Sequence, residues 1–167
     1  MKTLSVKLVR GFSLIEVLVA LVVLTIGLLG MAGLQGYSIT GSYNAHLRTQ
    51  ATALAQGIID RMRANPTEAR ANTYSVDIGD APASGTDCIG VSANCTTAQL
   101  ANYDVREWKC NLGAYANNAI CTAFVSQSTL PSGDGKIEIQ NNGQIEVTVQ
   151  WTDTAGDTHQ VMLTTSL

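Results

Sequence analysis

Between Val17 and Gly33 the chain carries one polar side chain, Thr25, whereas its last hundred residues alternate apolar positions with Thr, Asn, Gln, Gly and Asp. Two environments are expected from that contrast. A helix over residues 14–34 rises about 30 Å at about 1.5 Å per residue, the thickness of a bilayer's hydrocarbon core. Beyond Leu34 the spacing changes. Leu47, Ala51, Leu54, Ile58 and Met62 recur every three or four residues, with Arg48, Gln50, Gln56 and Arg63 mostly elsewhere, which is one apolar stripe on a helix. Asn65-Pro66 supplies a stop, since Pro disfavours helical geometry in its predecessor and Asn tolerates a left-handed terminus. The expected helix therefore covers residues 14–64.

Residues 71–94 are rich in Gly, Ala, Ser, Asp and Pro and read as a loop excursion. Residues 97–115 read as a second, shorter helix, with Thr96 or Thr97 as cap and Leu100, Tyr103, Trp108 and Leu112 on its buried side. Trp108 on that stripe reads as a packing anchor. In residues 136–140 and 144–152 the apolar side chains Ile137, Ile139, Ile145, Val147, Val149 and Trp151 all fall at odd positions, the period of half-buried strands. Asn141-Asn142-Gly143 is a hairpin turn between them, and residues 153–157 lead to a third strand carrying Val161 and Leu163. The fold class is α+β: a long N-terminal helix (about 14–64) packed on a small antiparallel β-meander, with a second short helix and disulfide-bearing loops.

With 167 residues, 46% hydrophobic and 14% charged, the chain holds one modest domain plus one lipid-length segment. Its formal charge is −3, and Lys2, Lys7 and Arg10 all precede the apolar run, so a chain cut behind Arg10 is more acidic still. An acidic domain lacks the electrostatic footprint that phosphate neutralisation requires, and no nucleic-acid binding is expected. The four cysteines, Cys88, Cys95, Cys110 and Cys121, leave six, fourteen and ten residues between neighbours. With no C-x-x-C and only His46 and His159 in the chain, these spacings do not supply a tetrahedral zinc set, and no metal site is expected. An even cysteine count behind an export segment implies two disulfides in an oxidising compartment. Four cysteines allow three pairings; the expectation is Cys88 with Cys95 and Cys110 with Cys121. No phosphate-cradling glycine loop and no nucleophile signature occurs, so neither an enzyme nor a cofactor is expected. His46 on the long helix and His159 near a strand start are read as structural.

Three readings of the N-terminal segment compete. A secretory signal peptide needs an apolar region of about 7 to 15 residues and an A-x-A-like exit; this run is longer, and Gly30-Met31-Ala32 is a poor exit. A plain membrane anchor fits the length. Neither accounts for Glu16 close to the start of the run, where a carboxylate costs up to about 2.5–3.5 kcal/mol at mid-depth and therefore demands a partner. Ser13-Leu14-Ile15-Glu16 also has capping-box spacing, with Phe12 and Val17 at the staple positions, so helix initiation is the structural alternative.

The run Gly11-Phe12-Ser13-Leu14-Ile15-Glu16-Val17-Leu18-Val19-Ala20-Leu21 resembles the cleavage and methylation motif of type IV prepilins and pseudopilins. The resemblance implies that a membrane prepilin peptidase cuts on the cytoplasmic side between Gly11 and Phe12 and methylates the new Phe12 amine. It implies that Glu16 pairs with that amine on a neighbouring subunit and so sets filament register. The implied domains are a leader peptide (1–11), a transmembrane and filament-core segment (12–36) and a periplasmic globular domain (37–167) with the type IV pilin fold. Lys2, Lys7 and Arg10 would hold the N-terminus in the cytoplasm. Expected partners are the prepilin peptidase, other minor pilins and the major pilin, the inner-membrane pilus assembly platform, and the membrane before assembly. The expected location is the bacterial inner membrane, then the pilus and cell surface.

Residues 26–35, the block Asp60-Arg61-Met62-Arg63-Ala64-Asn65-Pro66 and the closing strands are similar to the PilV minor-pilin family. That likeness implies a part in initiating or priming assembly and surface display, with indirect effects on motility, adhesion or DNA uptake. Major pilins commonly carry a proline within the stretch between Phe12 and Asn65, and this chain has none there. A minor pseudopilin of type II secretion and a pilus-anchored adhesin or ligand-binding module are the alternatives. Gly27, Gly30, Gly33 and Gly36 recur every three residues and fit close helix approach, local unwinding when subunits enter a filament, or the ordinary frequency of glycine in membrane helices.

Overall fold

A computed structural model describes residues 11–90, 94–122, 129–140 and 142–166. Lys2, Lys7, Arg10 and the turn residue Asn141 lie outside the described residues. The elements are α1 (Leu14–Ala64), α2 (Pro66–Arg70), α3 (Thr97–Leu112), α4 (Ala119–Thr122), β1 (Asp134–Ile139), β2 (Gln144–Thr152) and β3 (Thr158–Ser166). The chain divides into two compact units between Tyr43 and Asn44, inside α1.

In the first unit every described residue is solvent-exposed, and none of the most apolar stretch is buried within the molecule. The segment carries no Pro to interrupt the helix, and the hydroxyls of Thr25 and Thr40 bond back to the carbonyls of Val22 and Gly36.

The second unit has a core. Leu47, Ala51, Ala55, Ile58, Ile59 and Met62 of α1 are buried, and they share one apolar cluster with the inner face of the sheet. Leu54 is only partly buried and packs against that cluster, while Ala55 takes the fully covered position. Each buried aliphatic side chain of this kind contributes about 1.5–3 kcal/mol relative to exposure. The sheet is an antiparallel meander of order β1-β2-β3, with Ile137 opposite Val147 and Val149 opposite Val161. Ile137, Ile145, Val147, Val149, Trp151 and Val161 point into the core as their odd numbering requires, and Ile139 and Leu163 are partly covered. The second turn is built by Asp153, whose carboxylate accepts from the amides of Ala155 and Asp157, with Gly156 at φ +94°.

Three local expectations need correction. Asn65 ends α1 at φ −129°, not in a left-handed conformation; it is buried, and its amide donates to the Thr97 carbonyl at 2.9 Å and the Tyr74 hydroxyl at 3.4 Å. Pro66 then opens α2, where its missing N–H is not needed. Leu100 is exposed rather than buried, because Ala101 holds the inward position of α3. That helix stops at Leu112, not 115, with Gly113 at φ +128° as its cap. Its start is a full capping box: the Thr96 hydroxyl accepts from the Gln99 amide and the Gln99 side chain accepts from the Thr96 amide.

Trp108 is the anchor of the second unit. Its ring is buried, its indole N–H donates to the Leu54 carbonyl at 3.0 Å, and it lies against the backbone of β1 at Gly135. A Cβ at Gly135 would stand 2.5 Å from the Trp108 ring, so only glycine permits this approach.

Candidate functional site

The sequence places the candidate site at the start of α1. Gly11 and Phe12 precede the helix, and the Phe12 ring is 84% exposed. A side chain at Gly11 would meet nothing within 4 Å among the described residues, so none of them requires glycine there. Ser13 caps α1 through its backbone, its carbonyl accepting from the amides of Glu16 at 3.0 Å and Val17 at 3.3 Å. The side-chain half of a capping box is absent: among the described residues neither the Ser13 hydroxyl nor the Glu16 carboxylate makes a hydrogen bond or ion pair. Thr96 and Gln99 show the same S/T-x-x-E/Q spacing with both reciprocal bonds formed. The spacing at 13–16 therefore leaves a carboxylate without a partner among the described residues on the apolar part of α1. Chemically it is an acceptor for an ammonium supplied from another chain, and a protonated N-terminal amine is one such group.

Gly27, Gly30, Gly33 and Gly36 have open space where their Cβ atoms would stand, and α1 continues through them. Each costs about 0.8–1 kcal/mol of helix stability against alanine, and no packing among the described residues offsets it.

In the second unit the buried charges are paired. The block that follows Asp60 is a clasp: Arg61 bonds Glu107 at 2.6 Å and Asp104 at 3.1 Å, Arg63 bonds Asp60 at 3.1 Å and the Thr165 hydroxyl at 2.9 Å, Met62 is fully buried, and Asn65 ties to α3. The Tyr74 hydroxyl donates to the other Asp104 oxygen at 2.9 Å. The hydrogen bond to Glu107 raises the Arg61 pKa, and burial followed by the Asp104 carboxylate pushes the Tyr74 phenol well above its ordinary value. Opposite this clasp, the fully buried Lys109 ammonium donates to the Asp134 carboxylate and to the carbonyls of Asp77 and Gly135, while Asp134 also receives the amides of Gly79 and Gly135. Arg106, also buried, holds the carbonyls of Gly85 and Thr86 and the Asp87 carboxylate.

The disulfides join Cys88 to Cys95 and Cys110 to Cys121. Lys109 and Asp134 hold one foot of the 77–87 loop, Arg106 holds the other, and the first disulfide follows. Between the feet a cavity of about 580 Å³ opens against α3. His46 is exposed on α1, and His159 bonds Asp153 at 2.9 Å and stacks on Trp151. Among the described residues no cluster of His, Cys, Asp or Glu has the makings of a metal site.

Arg61, Asp104, Lys109 and Asp134 were missed from sequence. Charged residues beside an apolar stripe read as a solvated face, and only the clasp's tertiary geometry turns them inward.

A model of the family Type IV pilin Tt1218 matches residues 33–106, and the Prokaryotic N-terminal methylation motif matches residues 7–32, so the two adjoin and together cover more than half of the chain. No curated protein and no solved structure matches it.

Proposed function

Because this chain belongs to the type IV pilin superfamily and carries its N-methylation motif, a lineage of structural subunits rather than enzymes, we propose that it is a minor pilin that helps initiate or prime a type IV pilus and its surface display. The prepilin peptidase cuts between Gly11 and Phe12 and methylates Phe12. The apolar segment then waits in the inner membrane, and Glu16 receives the Phe12 amine of an adjacent subunit as the chain enters the fibre. The observation that carries this is the Glu16 carboxylate: it lies on the exposed apolar part of α1 and has no partner among the described residues of its own chain. In a low-dielectric filament core such a charge is tolerated only when paired, so it discriminates one axial register from the next.

The minor role is supported by the resemblance of residues 26–35 and 60–66 to minor pilins and by the absence of proline between Phe12 and Asn65. The α1 helix runs without a break from Leu14 to Ala64 in keeping with that absence. Motility, adhesion or DNA uptake would then be properties of the whole fibre to which this chain contributes indirectly. Deletion of the gene, followed by imaging of surface fibres and an assay of type II secretion, tests the assignment. Fewer fibres with normal secretion is the expected result. Normal fibres with lost secretion would replace it with the pseudopilin reading.

A further inference from the structure

One small cavity in the second unit remains unexplained by assembly. It has a volume of about 300 Å³ and is lined by Asn44, Ala45 and Arg48 of α1 with Trp151, His159 and Gln160 of β2 and β3. Two of these residues contribute buried polar atoms with no hydrogen-bond partner: the indole Nε1–H of Trp151, a residue only 3% exposed, and the side-chain carbonyl oxygen of Asn44. An orphaned donor and an orphaned acceptor on two residues that line one cavity call for a ligand that supplies the complement of each. Arg48, on the exposed rim, makes no ion pair among the described residues, and no acidic residue lines the cavity. His159 stacks on the Trp151 ring and is itself fixed by Asp153, which holds the indole in place.

The chemistry required is an anionic acceptor oxygen for Trp151 and Arg48, next to a hydrogen-bond donor for Asn44. Chain connectivity narrows the source. Asn44 is ten residues beyond Leu34, where the apolar run ends, and the intervening Tyr37 and Tyr43 are exposed aromatics of the kind that sit at headgroup level. We propose that this cavity binds the phosphodiester headgroup of a membrane lipid whose headgroup also carries a primary ammonium. Trp151 Nε1–H and the Arg48 guanidinium donate to the phosphate oxygens, and the Asn44 carbonyl accepts from the ammonium. Bound in this way, the folded unit is held at the bilayer until extraction into a fibre strips the lipid away.

This rests on the reading that residues 12–36 occupy a bilayer before assembly, and the test separates the two. The full chain, labelled with ¹⁵N, is placed in nanodiscs of phosphatidylcholine, of phosphatidylcholine doped with phosphatidylethanolamine, or of phosphatidylcholine with inorganic phosphate in solution. The Trp151 indole resonance, assigned by its loss in Trp151→Phe, is followed in each. The expected result is a saturable shift with phosphatidylethanolamine alone, weakened about tenfold in Arg48→Ala and in Asn44→Leu. An unmoved resonance in all three arms, or an equal response to phosphatidylcholine or inorganic phosphate, overturns the headgroup site while leaving the anchor intact. A chain that does not enter the discs overturns both readings.

Discussion

The two units of this chain treat their own surfaces in opposite ways. In residues 11–43 every described side chain is exposed, the apolar ones included, and the one carboxylate has no partner among the described residues. In residues 44–166 even charges that seldom leave water are buried and paired: Lys109 on Asp134, Asp104 under Arg61 and Tyr74, Arg106 on its loop. Isolated water-soluble proteins rarely expose a continuous apolar surface of this length, and such a surface marks a place where a membrane or another chain binds. The second buries an apolar core and pairs its buried charges within itself. Substitutions in the first should therefore change what the protein joins without changing its folding, and substitutions in the second should do the reverse.

Glu16→Gln is the strongest way to break that division. It keeps the shape of the side chain and removes the charge, so cleavage and methylation should proceed normally, and thermal unfolding of the second unit should be unchanged. Incorporation into fibres, measured by immunoblot of sheared pili, should fall by about tenfold or more, the equivalent of at least about 1.4 kcal/mol of lost pairing. Incorporation at the wild-type level would sink the register role.

Lys109→Met turns the contrast around. It strands the Asp134 carboxylate in a buried site from which its ammonium has been removed, and breaking a buried pair in this way costs about 3–5 kcal/mol. Urea denaturation of the full chain in detergent should show that loss, while prepilin cleavage, which reads residues around Gly11, should be unaffected. A change below about 1 kcal/mol would mean that the pair contributes little beyond a hydrophobic replacement.

The same division explains what could be read from sequence. Apolar run, heptad-like stripe and alternating strands follow from period alone, and so α1, β2 and the meander were legible to within a residue or two. The α1 terminus was placed correctly for an incomplete reason: Pro66 stops the helix, but Asn65 is held by Thr97 and Tyr74 rather than by a left-handed backbone. At 13–16 and 96–99 the sequence shows one spacing, and the structure gives it two outcomes, a backbone cap and a full capping box. The charged lattice of α3 was not legible, because Asp104, Arg106 and Lys109 become interior residues only when α1, the 77–87 loop and β1 close over them. Cysteine spacing alone allows three connectivities, and the expected neighbour pairs, Cys88 with Cys95 and Cys110 with Cys121, are the ones the structure forms.

The smallest expected effect concerns Tyr74 and appears only at high pH. Its phenol is fully buried and donates to Asp104, and burial, then that carboxylate, raises its pKa above the unfolded value near 10. A group with a raised folded pKa contributes stability that is complete below the unfolded pKa and is lost as pH rises toward the folded one. Between pH 8 and pH 11 the unfolded chain can ionise this phenol and the folded chain cannot, so this residue alone should remove about 1.4 kcal/mol of stability. Tyr74→Phe should cost about 1 kcal/mol at pH 7, where Arg61 still satisfies Asp104, and should flatten the alkaline limb of a stability–pH curve by that amount. An alkaline limb identical in the two proteins would show that the phenol is free to ionise in the folded state, and that the second unit is less closed than its hydrogen bonds indicate.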